Sequence, residues 1–161
     1  MSATIRQPVG PSDQGDLIRV TNLLGGPRVL KARPLTQLDV HRLLKIGLPQ
    51  KALDHLVVTV KIVKGGRHFE DAFGMTYRTY QRRKDPGKQP LSPEQSGKTW
   101  TFARVLAKAT EVFGSQEAAE KWISEPVMGL DRQVPLELLQ TPAGVDLVNA
   151  FLTRLEYGVY T

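Results

Sequence analysis

The chain contains no cysteine, which removes disulfides, thiolate zinc sites and cysteine nucleophiles and leaves packing as the source of its stability. It also lacks a long apolar run: nothing approaches the roughly 18–20 consecutive apolar residues of a membrane span, and the N-terminus has no apolar segment of the kind that begins a secretory signal. The expectation is a cytoplasmic protein without membrane association. Histidine is scarce, and His41, His55 and His68 have neither an i, i+4 pairing nor attendant carboxylates, so no metal site is expected. Gly25-Gly26 and Gly65-Gly66 lack the lysine or glycine spacing of a phosphate cradle, and no nucleophile elbow or dinucleotide fingerprint occurs. The carboxylates Glu70/Asp71 and Glu117/Glu120 read as solvated helix faces. With no catalytic constellation, the chain is read as non-enzymatic and without a cofactor.

What is present is an ordinary globular composition, 40% hydrophobic and 24% charged over 161 residues, enough for one moderate domain or two small ones. The net charge of +6 hides an asymmetry. Residues 1–98 hold 17 Lys/Arg against 8 Asp/Glu, a net of +9, whereas residues 99–161 hold 5 against 8, a net of −3. The first part has the charge to meet a polyanion, or simply a basic surface; the second does not invite one.

Pro8, Gly10-Pro11, Gly15 and Gly25-Gly26-Pro27 punctuate residues 1–33, which read as a flexible or loosely docked arm with one short strand or turn at Leu17–Val20. From Thr36, "TQLDVHRLLKIG" predicts a capped helix with Val40, Leu43 and Leu44 inward and Gly47 as its stop. Pro49 opens another, with Leu53, Leu56, Val57 and Val60 on one face. Within it, "HLVVTVKIV" over residues 55–63 is β-branched and also alternates, so a strand stays open beside the favoured helix.

Next, Phe69, Ala72 and Phe73 make a short apolar face, Gly74 permits a sharp turn, Met75 plugs the junction, and Thr76 caps a helix from Tyr77 to Lys84. Two short helices around a Gly-containing turn match helix-turn-helix geometry, in which the second helix enters the major groove. Arg78, Arg82, Arg83 and Lys84 are then candidate phosphate contacts, with Thr76, Tyr77, Thr79 and Gln81 as further phosphate or base contacts. A basic helix that merely packs between its neighbours is the competing reading, and Tyr80 reads as core. Ser92-Pro93 with Gln95 at the third helical position opens a long helix on which Phe102, Val105, Leu106, Ala109, Val112 and Phe113 recur at helical spacing and Trp100 reads as core.

The last third has three further helix signals. Ser115 caps a helix carrying Ala118, Ala119, Trp122 and Ile123, stopped at Glu125-Pro126; Pro135 opens a short one; Thr141-Pro142 opens the last, with Val145, Val148, Leu152 and Leu155 inward and Gly158 as its left-handed stop.

In this region "VFGSQEAAEKWISEP", "PLELLQTPAGVDLV" and "LTRLEYGVYT" resemble, in order and spacing, the toxin-binding domain of Xre/MbcA/ParS-type antitoxins. "GMTYRTYQRR" resembles the helix-turn-helix of the same family. Two departures stand out: Glu70 occupies a position where helix-turn-helix units commonly carry a small residue, and "VMGLDRQ" replaces a Gly-rich turn of the type "LGGR". The resemblance implies an all-α protein with an arm over 1–33, a helix-turn-helix-like DNA-binding module over 34–98 and a toxin-binding domain over 99–161. It implies an antitoxin of a type II toxin-antitoxin pair, whose partner is a RES-domain toxin that degrades NAD. It also implies repression of its own operon by binding operator DNA, homodimerisation, and a toxin-antitoxin hetero-oligomer. Arg154, Glu156, Tyr157, Gly158, Val159, Tyr160 and Thr161 would dock on the toxin's cleft. The alternative is a stand-alone helix-turn-helix regulator whose C-terminal helices dimerise.

Overall fold

The computed structural model describes residues 11–83 and 89–158. Its organising element is α7, Pro93–Phe113, begun by the expected capping box: Ser92 Oγ accepts the Gln95 backbone N–H while Gln95 Oε1 accepts the Ser92 N–H, each at 3.1 Å. Twenty-one residues make about 30 Å of helix, and its apolar positions run round much of the circumference. Phe102, Ala103, Val105, Leu106 and Ala109 are all buried, so α7 is covered on several sides. A helix apolar on so wide an arc must be a central rod.

The remaining helices pack on it or on its neighbours. They are α1 (Pro11–Leu23), α2 (Pro27–Leu30), α3 (Gln37–Ile46), α4 (Gln50–Thr59), α5 (Phe69–Phe73), α6 (Tyr77–Arg83), α8 (Gln116–Ser124), α9 (Pro135–Leu138) and α10 (Pro142–Glu156). Helices α1, α3, α5, α8 and α10 touch α7 directly. Among the described residues there is no strand, only an isolated antiparallel bridge between Val127 and Gln133. The architecture is all-α, and no helix of the described residues is long and apolar enough to cross a membrane.

The loose arm expected over 1–33 is corrected for residues 11–33. Pro11–Leu23 is a helix whose Leu17 and Val20 are buried, as are Leu24 just after it and Leu30 of α2. On its outer side Arg19 donates to Asp16 at 2.9 Å and to Glu111 of α7 at 2.7 Å. Pro11 stands at a helix start, where its missing N–H is harmless, and the cost of Gly15 inside the helix is offset by apolar burial on α7. Residues 1–10 lie outside the described part.

Between Gln50 and Thr59 the helix reading holds and the strand does not: Val60 leaves the helix in an extended conformation, and a 3₁₀ segment follows at Lys61–Gly66. Helix α3 has the cap foreseen at Thr36, and Asp39 completes it as a box, its Oδ2 accepting the N–H groups of Leu35 (3.0 Å) and Thr36 (3.1 Å). Those two backbone donors, Leu35 first, hold the Asp39 carboxyl below the ordinary carboxylate range. The division expected between residues 98 and 99 falls inside α7, and the buried side chains on both sides of it form one cluster.

Candidate functional site

Two surfaces carry the site residues expected from the sequence. The first is the α5–α6 pair. Phe69, Ala72 and Phe73 are buried, Met75 fills the junction, and Thr76 Oγ1 accepts the Thr79 N–H at 3.1 Å, capping α6 as anticipated. Gly74 turns the chain at φ +70°, and the aliphatic stem of Lys98 lies so close that an added Cβ would sit 2.5 Å from its Cδ. The left-handed backbone is what calls for glycine there, since the lysine stem could swing aside. Glu70 is exposed, so its side chain does not hold the two helices apart.

On α6 the expected contact residues divide. Arg78, Thr79, Gln81 and Arg82 are exposed, as is the capping Thr76. Tyr77 is turned inward: its ring lies 5.3 Å from Phe69 and 5.9 Å from Tyr80, and its Cβ faces Gly66. Arg83 is committed to the fold, donating to Gln95 Oε1 at 3.1 Å and to the Pro90 carbonyl at 3.0 Å, which ties α6 to the cap of α7. Lys84 lies outside the described residues. Sequence inspection missed Lys98, which reaches the turn from 24 positions beyond Gly74 and has no local signal. Tyr80 is core as expected. Its hydroxyl donates to Asp54 at 2.8 Å, and burial together with that bond pushes the phenol above its ordinary range.

The second surface is the end of α10. Thr141 caps the helix by accepting the Gly144 N–H at 3.0 Å. Val148, Phe151 and Leu152 are buried, with Val145 and Leu155 partly so. Phe151 stacks on Trp122 at 5.9 Å between centroids, and Trp122 leans on Phe113 at 5.3 Å, an aromatic column joining α10, α8 and α7. Phe151 was missed because the i, i+3, i+7, i+10 set seemed complete without it. Lys108 of α7 adds a polar tie, donating to the Thr153 hydroxyl and, at 3.5 Å, to the Asn149 carbonyl.

Beyond this anchored part Arg154, Glu156, Tyr157 and Gly158 are all exposed, and Tyr157 keeps 73% of its surface. Gly158 has the left-handed φ of +64° foreseen for the helix stop. Val159, Tyr160 and Thr161 lie outside the described residues.

Between α8 and α9 the "VMGLDRQ" turn closes on itself. Val127 N–H donates to the Gln133 carbonyl at 3.0 Å and Arg132 N–H to the Val127 carbonyl at 2.9 Å. Asp131 and Arg132 stand consecutively in the left-handed region, at φ +57° and +60°. Two successive left-handed residues are what a Gly-Gly pair suits, so this chain makes the turn with strained residues in place of glycines.

Glu120 was read as part of a solvated face, and this is corrected. It is 5% exposed, its Oε1 accepts the N–H groups of Lys61 (2.5 Å) and Ile62 (3.1 Å), and Oε2 accepts from Gln116 at 3.1 Å. The carboxylate therefore caps the 3₁₀ segment from across the core, a role invisible in local sequence. A second link runs from Gln140 to Asp71 of α5 at 2.7 Å. The described residues hold no group of three or more His, Asp or Glu able to hold a metal.

Comparison with known proteins agrees with this geometry. Residues 108–158 match the family model of the antitoxin Xre/MbcA/ParS C-terminal toxin-binding domain, beginning within α7 and ending at the stop of α10. An antitoxin Xre of Yersinia enterocolitica is 30% identical over 119 residues, 73% of this chain and 78% of that one. An antitoxin Xre of Photorhabdus laumondii is 31% identical over 87 residues, 53% and 58% of the two chains. One of Pseudomonas putida is 30% identical over 70 residues, 44% of each. With an all-α core, a matched toxin-binding domain and a relative covered over most of both lengths, the chain belongs to the Xre/MbcA/ParS family of antitoxins.

Proposed function

We propose that this antitoxin neutralises a RES-domain toxin that degrades NAD, and that it does so sterically, by pushing the end of α10 and the residues after it into the toxin's substrate cleft. The observation that carries this reading is Tyr157, an aromatic ring left 73% exposed at the end of a helix that is otherwise pinned by Phe151 and Lys108. Aromatic side chains bury much area for few lost rotamers, which suits them to anchor an interface. Arg154 and Glu156, exposed beside it, offer charged groups to polar residues that would otherwise meet substrate. Chemistry on NAD belongs to the partner in this reading, so the antitoxin needs neither cofactor nor catalytic residue. Both NAD and the operator are cytoplasmic, and so is the proposed site of action.

The test is deletion of residues 157–161. The shortened chain is expected to keep its melting temperature and promoter binding and to lose rescue of cells expressing the neighbouring toxin gene. Full rescue by the truncated chain would eliminate the tail as the inhibitory element.

A second activity, repression of its own operon as a homodimer on operator DNA, is supported by the exposed basic face of α6. Arg78 and Arg82 stand one turn apart on that face with Thr79 and Gln81 beside them. For every phosphate left without its cation, the slope of log K against log salt should fall by roughly 0.9. Arg82→Ala should therefore weaken promoter binding and flatten its salt dependence, whereas Arg83→Ala should act first on stability by freeing the Gln95 and Pro90 acceptors. Promoter binding indifferent to Arg78→Ala, Arg82→Ala and salt together would remove this reading.

A further inference from the structure

We infer that the loop Lys64-Gly65-Gly66-Arg67 is a second DNA-contacting element, whose two cations hold the phosphate backbone beside the groove that α6 enters. The inference rests on the α6 reading above and extends the interface beyond that helix.

The loop forms where the 3₁₀ segment breaks. Lys64 leaves helical geometry at φ −66° and ψ +143°, Gly65 turns left-handed at φ +75°, and Gly66 follows at +86°. Val63 before the loop and Phe69 after it are fully buried, so both ends of this short excursion are pinned to the core. Between them Lys64 and Arg67 are exposed, and neither has an ion-pair or hydrogen-bond partner among the described residues. Glu70, exposed on the first turn of α5, is not paired with Arg67. In this the loop differs from Arg19, Arg42 and Arg83, each of which has a partner within the fold.

What aims the loop at DNA is its neighbour. The 3₁₀ segment packs on α6, and a Cβ added at Gly66 would lie 3.1 Å from Cβ of Tyr77, the first residue of that helix. The loop therefore sits against the N-terminal end of α6, next to Arg78. In helix-turn-helix docking, that end of the second helix reaches the base edges. A helix with its side chains is about 10–12 Å across and the major groove about 12 Å wide, so the helix fills the groove and what lies directly beside it meets a phosphate ridge. A lysine and an arginine there suit phosphate oxygens, to which both donate charge-assisted hydrogen bonds. Such contacts fix register and orientation and carry no base information, so the loop positions α6 and leaves the reading of bases to it. Because the loop is pinned at both ends, little backbone freedom is lost on docking.

Equilibrium binding of the full chain to a duplex of its own promoter and to an unrelated duplex of equal length, from about 50 to about 200 mM salt, tests this. Lys64→Gln and Arg67→Gln should each weaken binding at low salt. With a slope of roughly 0.9 per neutralised phosphate, that deficit should shrink by roughly 3.5-fold for every bound copy across the salt range. Both duplexes should lose affinity by the same factor. Lys64→Arg and Arg67→Lys keep the charge and should bind with the wild-type slope. Arg104→Gln removes an equal charge from α7 beside Asp13 and Asn149 and should leave binding unchanged. Both loop residues are exposed, so their variants should melt like wild type.

A wild type that binds neither duplex, or binds with an affinity indifferent to salt, would remove the α6 reading and the loop with it. Promoter binding that Arg82→Ala weakens and both loop variants leave unmoved would keep α6 and overturn the loop. A deficit in Lys64→Gln and Arg67→Gln that stays constant across the salt range would overturn it too, as the mark of a structural effect. So would an equal deficit in Arg104→Gln, the mark of a general loss of positive charge. Were Arg67→Gln to unfold, Lys64→Gln decides alone.

Discussion

Gly144 and Gly97 are both helical glycines, and substituting each by alanine should move stability in opposite directions. Alanine in a helix interior is favoured over glycine by about 0.5–1 kcal/mol, because it restricts the unfolded chain. At Gly97, in α7, an added Cβ meets nothing within 4 Å, so the full gain should be realised. At Gly144, in the first turn of α10, the same methyl would lie 1.8 Å from the carbonyl oxygen of Leu138 and 2.7 Å from its carbon, where ordinary contact begins near 3.4 Å. The obstacle is backbone, not a side chain that could swing away. Helix α9 would have to withdraw by more than an ångström, carrying the buried Leu136 with it. Overpacking of this kind costs about 1–3 kcal/mol or more, and it outweighs the propensity gain. Gly144→Ala should therefore lose about 2 kcal/mol and Gly97→Ala gain about 0.5–1, with Tm moving ~2–4 °C per kcal/mol for a chain of this size. Thermal unfolding of the two single variants and the double variant is the assay. A Gly144→Ala protein as stable as Gly97→Ala would mean that α9 does not press on α10, and that the elbow before α10 is not built as described.

The other predictions are briefer. Arg132→Gly should stabilise the chain by about 0.5–1 kcal/mol by relieving a left-handed residue, with Asp131→Gly smaller because aspartate tolerates that region; urea unfolding reads both. Leu152→Ala should cost about 2–5 kcal/mol as a fully buried large-to-small change, and a loss below about half a kcal/mol would put this residue on the wrong face of α10. Tyr80 is held protonated in the fold, so its contribution is intact below the ordinary tyrosine value near pH 10 and declines as pH rises toward its higher folded value, by up to ~1.4 kcal/mol per pH unit. Tyr80→Phe should flatten the alkaline fall in stability measured between pH 9 and 11.5, and an unchanged slope would assign it to other groups.

The starts and stops of helices were the most readable part of the sequence, because a cap is a local device. Thr36 with Asp39, Ser92 with Gln95, Ser115 and Thr141 each meet their acceptor or donor within three residues, and each does what its spacing indicated. Function was readable for the same reason at α10, where the motif is contiguous. What escaped is what depends on distant partners. Helix α1 looked like a loose arm because Pro11, Gly15 and the glycines on either side of it are visible in sequence, while the face of α7 that receives Leu17 and Val20 is not. Glu120 is an ordinary member of an amphipathic helix until Lys61 and Ile62, some 59 positions away, bring their N–H groups to it. Arg83 belonged to an apparent run of free cations, yet its neighbours in space are Pro90 and Gln95, and its guanidinium joins two helices.

These distant contacts also bear on the proposal that the end of α10 acts as the inhibitory element. A free peptide presenting a tyrosine to a cleft would lose the freedom of its backbone on binding, at roughly 1–2 kcal/mol for each residue fixed. Here the helix that ends at Tyr157 is already ordered through Thr153 and Phe151, held by Lys108 on one side and by the Trp122–Phe113 column on the other. That entropy is lost when the antitoxin folds, not when it meets its partner, so contacts made by Tyr157 would count almost fully toward affinity. The strain in the Asp131–Arg132 turn fits the same logic. A costly backbone persists only where its surroundings over-determine it, and here the turn joins α8, which holds Trp122, to α9 and the start of α10. The chain thus places its rigidity just behind the surface proposed to meet the toxin and leaves the large aromatic side chain there uncovered.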